Sequence, residues 1–428
     1  MNGLKINVRK LSGNIAVFLF MIYLYGYAQL HVVYPNKYVV IYIFAIILAF
    51  SVMSSPLQRP KPIKKQFLAW WLLALMVLIN NVVTWSGNFF HINTLRIILC
   101  ITLMGTLSRK TSWIESWMRI TVLLGCIYAV GSLYFYLFPH AYSVMTSFYG
   151  FAPAGTNNGI YGYRAGLADQ NSQNAIYLVF PILVVVSSFF VKKEDRKKKI
   201  VLVGVLLFAL LLTIKRAVLM FGIVALCVVY VNMDKQRKTN KMLRLIMLGI
   251  VAIVAFTVAA ETIPAINDVV LRFSGMGSDV SSQNRLLMWG LAWSLFWRNP
   301  IFGIGLWGYQ NSYYFNLFSA GTNSLYAALN VHNVYLQVLC EFGIVGMIVY
   351  IYAIVTSLYT TFVTLRDIKA KTDNAHYVHT LSLSLVIQVL YILYSLTGNC
   401  LYDIVFGFYA LALASMYAIR NEIIDLAN

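Results

Sequence analysis

The chain has 428 residues, of which 60% are hydrophobic and 11% charged, and its mean hydropathy is +0.73. A soluble globular chain carries roughly 25% charged residues, so this composition excludes an ordinary soluble enzyme, a disordered protein and a secreted disulfide scaffold. The net charge of +19 would suggest nucleic acid in a soluble protein; in a membrane protein its first explanation is topology, because basic residues stay on the cytoplasmic side, and no nucleic-acid partner is expected.

The apolar residues fall into blocks near 20 residues long, the length that crosses a bilayer as a helix. They predict an all-α, polytopic integral membrane protein with about 12 transmembrane helices in a single membrane domain over 1–428. The predicted spans are about 13–31, 38–54, 66–86, 92–108, 118–138, 174–191, 200–214, 216–233, 244–260, 341–363, 378–397 and 401–418. The first span follows Lys5, Arg9 and Lys10 and has no small-residue cleavage site, so it reads as a retained helix and not a signal peptide. The five cysteines sit mostly inside apolar blocks with no C-x-x-C pair, and read as small apolar packers.

The basic residues test this drawing. With the N-terminus in the cytoplasm, the alternate loops hold Lys5, Arg9 and Lys10, then the clusters within 59–65, 109–119, 192–199, 235–244 and 366–371, and Arg420. That alternation predicts an even number of spans with both termini cytoplasmic. Eight cations are left unexplained: Lys37, Arg96, Arg164, Lys215, Arg216, Arg272, Arg285 and Arg298. Arg96 lies near the outer end of a span, where it either snorkels to the headgroups or serves function. Lys215 and Arg216 interrupt IVLVGVLLFALLLTIKRAVLMFGIVALCVVY, a stretch far too long for one helix. The pair therefore predicts a tight external turn, whose cations snorkel or bind an anion at the membrane surface.

Two outer loops exceed turn length, at 139–173 and 261–340. The first carries a polar cluster with Tyr163, Arg164, Asp169, Asn171 and Asn174. Either Asn171 or Asn174 caps the next span and Arg164 pairs with Asp169, or the cluster is a Tyr-and-amide surface suited to sugars. In the second loop, 281–297 reads as an interfacial helix. Trp289, Trp293 and Trp297 are four apart and share a face, which Arg285 continues by one turn. An N-P-I-F-G-I-G turn follows at 299–305. Then comes VHNVYLQVLCEFGIVG at 331–346, with His332 and Asn333 at the mouth of the next span, Glu341 as a cap or a partner inside the bundle, and Gly343 and Gly346 as sites of close helix contact.

Absences narrow the chemistry. There is no G-x-x-x-x-G-K-[ST], no H-E-x-x-H, no His/Cys cluster and no D-x-D, so neither a P-loop nor an evident metal site is present in the sequence. Any diphosphate would be held by Arg and Lys through charge-assisted hydrogen bonds.

With Arg285, the Trp-bearing stretch, the N-P-x-x-G-x-G turn and H-N-x-Y-L-Q-x-L-x-E-x-G-x-x-G, the chain resembles the O-antigen ligase and O-antigen polymerase family. The Arg216 turn resembles that family's short Ser-Arg turn, with Lys215 in place of Ser. The resemblance implies a membrane glycosyltransferase C-like fold and a metal-independent, inverting glycosyltransferase without a cofactor, in the bacterial cytoplasmic (inner) membrane. It would polymerise undecaprenyl-diphosphate-linked repeat units into an O-antigen, capsule or exopolysaccharide. Its partners would be that lipid-linked glycan, an acceptor glycan or glycolipid, membrane lipids, a flippase and a chain-length regulator. The resemblance makes His332, Arg285 and Arg216 catalytic and Arg164 substrate-binding; the charge, position and aromatic character of the residues themselves add Lys215, Asn333, Tyr163 and Trp289 as substrate-binding. A neutral His332, with a pKa near 6.5, is expected to act as general base on the acceptor hydroxyl. Two other readings stand beside the polymerase: a ligase of the same fold that moves the glycan to lipid A-core or another acceptor, and a polysaccharide transporter or flippase.

Overall fold

In a membrane every backbone N–H and C=O must find a partner within the protein, which makes the helix the default for an apolar segment. The computed structural model describes residues 8–26, 37–54, 65–83, 92–149, 162–191, 195–232, 280–311, 330–371 and 374–427, with short helical pieces between 240 and 271. The helices are α1 (Val8–Tyr25), α2 (Lys37–Ser54), α3 (Lys65–Val83), α4 (Ile92–Leu107), α5 (Ile114–Leu137), α6 (Pro139–Tyr149), α7 (Asn171–Ser188), α8 (Arg196–Leu212), α9 (Arg216–Asn232), α10 (Val280–Arg298), α11 (Val334–Lys371), α12 (Ala375–Tyr394) and α13 (Val405–Ala427). Short 3-10 turns occupy Gly162–Arg164 and Cys400–Tyr402, and no strand occurs among the described residues. Five helices, α1, α5, α7, α11 and α12, are long and apolar enough to cross a membrane; shorter apolar stretches lie in α2, α3, α4 and α9. The chain is a polytopic α-helical membrane protein.

Eleven predicted spans overlap helices of the structure, and the remaining one, 244–260, falls largely outside the described residues. Boundaries moved for local reasons. Helix α11 begins at Val334, ahead of the span predicted from 341, because Asn333 caps it with an oxygen that accepts the Leu336 N–H (3.1 Å). The last span starts later than 401, because Asp403 is extended and separates the Cys400–Tyr402 turn from α13. The stretch drawn as the first long loop contains α6.

Helix α13 is the axis of the bundle. From Phe406 to Ile419 its residues are buried, and it packs against α12, α4 and α11. Small residues permit this: a Cβ at Gly407 would lie 2.5 Å from the Leu24 side chain of α1. Polar ties fix the register of neighbours. Trp70 Nε1 donates to Ser357 Oγ (3.0 Å), Gln388 Nε2 to Thr361 Oγ1 (2.6 Å) and Ser384 Oγ to the Ala412 carbonyl (2.8 Å).

The feature that positions the site is a break in α11. Gly343 has φ 66° and ψ −167°, a conformation open essentially to glycine alone. Backbone groups released at the break are taken up by the 299–305 turn. The N–H of Ile304 donates to the Cys340 carbonyl (3.0 Å) and that of Gly305 to Glu341 (2.9 Å). In return Ile344 N–H donates to Pro300 (2.9 Å) and Val345 N–H to Ile301 (3.3 Å). A Cβ on Gly343 would sit 2.3 Å from the Ile301 carbonyl oxygen, and one on Gly303 2.3 Å from the Glu341 backbone. The close contact expected of Gly343 is therefore made with a turn, not with a helix. Asn80 of α3 completes the joint, accepting the Leu306 N–H (2.8 Å) and donating to the Glu341 carbonyl (3.4 Å).

This joint yields a mutational expectation. Gly343→Ala adds backbone strain of ~1–3 kcal/mol and a backbone clash, so it lowers the thermal stability of the detergent-purified protein. Gly290→Ala on α10, where nothing lies within 4 Å of the added Cβ, leaves stability unchanged or slightly raised. Equal melting temperatures for the two variants would contradict the role given to the break.

Candidate active site

His332 enters the site in a strained conformation, with φ +56°, uncommon for a residue other than glycine. Bonds from other elements hold it there. Its backbone N–H donates to Asn399 Oδ1 (3.1 Å), Val331 N–H donates to Gln337 Oε1 (3.4 Å), and Val334 N–H donates to the Ser395 carbonyl (2.9 Å). Asn399 also meets the ring, its Nδ2 lying 3.3 Å from His332 Nδ1. Beneath the loop, Gln337 Nε2 donates to Asn330 Oδ1 (3.3 Å) and Glu341 Oε1 (3.2 Å), and the Tyr402 hydroxyl donates to Glu341 Oε2 (2.9 Å). Arg96 closes the network by donating to the Tyr402 carbonyl (2.5 Å) and to Asn93 Oδ1. At 1% exposure Arg96 does not snorkel; it is a buried brace.

Three cationic or imidazole groups from distant parts of the chain act on one another here. Burial, and then the charges of Arg285 and Lys215, pull the His332 pKa from 6.5 down to about 4. The unperturbed value expected from sequence is corrected: His332 is neutral throughout the physiological range. The sign for stability follows. Between pH 6.5 and about 4 the unfolded chain binds a proton that the folded site refuses, so this group's contribution destabilises the fold as pH falls through that window.

The Lys215 segment is the tight turn that the sequence predicted. Helix α8 ends at Leu212, Ile214 takes φ +55°, and Arg216 opens α9. Thr213 Oγ1 accepts the Lys215 N–H (3.3 Å), and Asn171 Nδ2 donates to the Thr213 carbonyl (3.4 Å). That last bond ties the turn to the start of α7. Of the two readings of this cluster, the one in which Asn171 or Asn174 caps α7 is not what the structure shows. The cap position is Gln170, whose side chain makes no capping bond, and Asn174 Nδ2 instead donates to Ser132 Oγ (2.9 Å) and the Arg164 carbonyl (3.2 Å).

Tyr163 and Arg164 form a wall beside this turn. Tyr163 is buried with Phe135, Tyr142 and Leu212 and stands edge-on to Tyr136 (5.2 Å); the Arg164 guanidinium lies 5.9 Å from the Tyr163 ring centre. Asp169, a few residues on, has its pKa raised to about 6, by burial first and then by the charge of Asp403. On α10, Met288, Ala292 and Leu295 pack on Tyr309, Val331 and Cys340. The opposite face carries exposed Trp293 and Trp297, as the fourfold spacing predicted, with Trp289 half-buried between the two faces and Arg285 one turn earlier.

Thus His332, Arg285 and Lys215 share one site, with Arg216 next to Lys215, Trp289 a turn from Arg285, and Tyr163 and Arg164 alongside. Asn333 commits its oxygen to capping α11. Sequence reasoning missed Asn399 and Asp403. The available signals were the polar Asn399 in the gap between the last two predicted spans and an acidic residue, Asp403, inside the last one.

Residues 200–351 match the family model described as O-antigen ligase. The match runs from within α8 to within α11 and contains Lys215, Arg216, Arg285, Trp289, His332 and Asn333. Through that segment, about a third of the chain, the protein is similar to the O-antigen ligase family. A search of curated proteins gives no match to the chain.

The electrostatic coupling is open to direct measurement. Replacing Arg285 or Lys215 by Gln removes a positive charge and makes the imidazolium less costly. The His332 pKa therefore rises from about 4 in each variant, while staying below 6.5 because burial persists. Titration of ¹⁵N-histidine-labelled protein by NMR reads this; an unmoved His332 in both variants would separate the cations from the histidine.

Proposed function

We propose that the protein is a metal-independent, inverting glycosyltransferase. It polymerises undecaprenyl-diphosphate-linked repeat units into a cell-surface polysaccharide at the outer face of the cytoplasmic membrane, with both termini cytoplasmic. The observation that carries this reading is the gathering of Lys215 and Arg285 about His332 at an end of the bundle where α7, α9 and α11 all begin. None of these helices has an acidic residue in its first turn. A helix N-terminus favours an anion and disfavours a cation, so cations placed there call for a ligand with more than one negative charge. A lipid diphosphate fits that demand.

The chemistry then needs no nucleotide. The acceptor hydroxyl attacks the anomeric carbon as the bond to the diphosphate breaks, and the bonding pair leaves with the diphosphate oxygen. Lys215, Arg216 and Arg285 stabilise that growing charge, for a few kcal/mol each. Tyr163, Arg164, Trp289 and Asn333 line the path of the sugars. Two groups are available to receive the hydroxyl proton, His332 and Asp169. The ligase reading stays beside the polymerase because the matching family model is described as O-antigen ligase; it differs only in the acceptor.

Reconstitution with a lipid-diphosphate repeat unit tests the proposal. A ladder of products is expected; a single transfer that needs a second acceptor would favour the ligase, and lipid translocation without transfer would remove the enzyme. Arg285→Lys keeps the charge but loses the guanidinium fork, so transfer falls strongly, whereas full activity in Arg285→Ala at normal expression would take Arg285 out of the site.

Orientation is tested separately with single cysteines and an impermeant thiol reagent on intact cells. Position 298, exposed at the end of α10, is expected to label, and position 197, exposed in α8, to be protected. The reverse pattern would invert the topology.

A further inference from the structure

Asn399 offers His332 two contacts, and only one assignment of its amide satisfies both. The backbone N–H of His332 can only donate, so the group 3.1 Å from it must be Oδ1. The amide nitrogen then faces the ring, 3.3 Å from Nδ1. An amide nitrogen can only donate, so Nδ1 must accept and cannot carry a hydrogen. In a neutral imidazole the proton then resides on Nε2. Protonating Nδ1 as well would set two N–H groups against each other, and Arg285 and Lys215 already oppose the cation. Among the described residues no carboxylate is found acting on this ring: Arg285 comes from α10, Lys215 from the α8–α9 turn and Asn399 from the segment before Cys400.

We propose that Asn399 is a positioning residue that fixes His332 as a neutral imidazole protonated at Nε2, a hydrogen-bond donor to a phosphate or sugar oxygen and not the base. This rests on the proposed transfer from a lipid diphosphate. It deepens that reading by dividing the labour within the site. Nε2 already holds its proton and Nδ1 is occupied, so His332 takes none from the acceptor. As the new glycosidic bond forms, the hydroxyl O–H bond breaks toward Asp169. The electron pair of the old bond leaves on the diphosphate, to whose oxygens Arg285, Lys215 and the Nε2–H donate. Asp169 suits the task by place, in the segment joining the Tyr163–Arg164 wall to the start of α7. It has one carboxylate oxygen buried without a hydrogen-bond partner in the protein.

The test has a spectroscopic arm and a kinetic arm. In ¹⁵N-histidine-labelled wild-type protein, His332, assigned by its loss in His332→Gln, should show an unprotonated Nδ1 and a protonated Nε2 at pH 7. A protonated Nδ1 would overturn the proposal. Asn399→Asp supplies a carboxylate that accepts from both the backbone N–H and the ring, so the proton moves to Nδ1 and Nε2 becomes a base. With a synthetic polyprenyl-diphosphate glycan as donor, this variant should transfer roughly tenfold slower or worse, with the tautomer switch visible in the spectrum. Wild-type or faster transfer with the switched tautomer would restore His332 as the base. The wild-type spectrum needs neither a variant nor turnover. Absence of any transfer by wild type would therefore strike the functional reading alone and leave the tautomer assignment standing.

Discussion

The exchange of backbone hydrogen bonds between the broken start of α11 and the 299–305 turn is the joint on which the rest of the site hangs. A helix broken inside a membrane exposes N–H and C=O groups that lipid cannot satisfy. Each orphan would cost ~1–3 kcal/mol, so a break survives only where another backbone comes within hydrogen-bonding reach. Gly343 and Gly303 permit that approach from the two sides, since a Cβ on either would meet the opposite main chain at 2.3 Å. Once the turn is locked to α11, the direction of α10 is set, because α10 ends where the turn begins. Arg285 is thereby aimed from α10 toward the mouth of α11, where His332 stands.

The locked geometry gathers positive charge from separate parts of the chain. Lys215 and Arg216 sit at the beginning of α9, where the helix dipole is already positive, and Arg285 is brought toward the same point. Two carboxylates of the same network are engaged elsewhere. Glu341 is occupied by Tyr402 and Gln337, and Asp403 lies in the field of Arg96. Positive charge is thereby concentrated at one point, an arrangement that lowers the energy of any polyanion that arrives. Such preorganisation is what stabilises charge developing on a leaving group without further rearrangement. A bound diphosphate would by the same linkage stabilise the folded protein.

Hydropathy made much of the helical bundle legible, because the length of an apolar block is a local property. The Lys215–Arg216 turn was legible for the same reason: an apolar run that long must reverse, and a pair of cations marks where. The Trp face of α10 follows from spacing alone. What was not legible depends on partners far away in sequence. Asn171 and Asn174 look like caps until Thr213 and Ser132 arrive to claim them. Arg96 looks like a snorkelling residue until the Tyr402 carbonyl, 306 positions on, takes its guanidinium. Gly343 looks like a helix-contact glycine in a continuous helix, since nothing in its neighbours announces that the Ile301 backbone lies against it. His332 carries no sign in the sequence of the Asn399 side chain, 67 positions later, that fixes its ring.

The distribution of strain supports a rigid site. Four non-glycine residues among those described have positive φ. One, Asp195, is a short polar residue that tolerates the left-handed region. The other three are Ile214, Trp307 and His332; the region is costly for the β-branched Ile214 and the bulky Trp307, and uncommon though better tolerated for His332. All three lie in the segments that build the site: the Lys215 turn, the sequel to the 299–305 turn and the mouth of α11. Each is pinned by bonds beside it, through Asn171 to Thr213, Asn80 to Leu306 and Asn399 to His332. Strain of ~1–3 kcal/mol per residue persists only where the surroundings over-determine the backbone. The three asparagines supply that over-determination from three separate parts of the bundle. A site held this way offers a fixed set of charges and donors, because the backbone that carries them has no alternative conformation that keeps those three bonds.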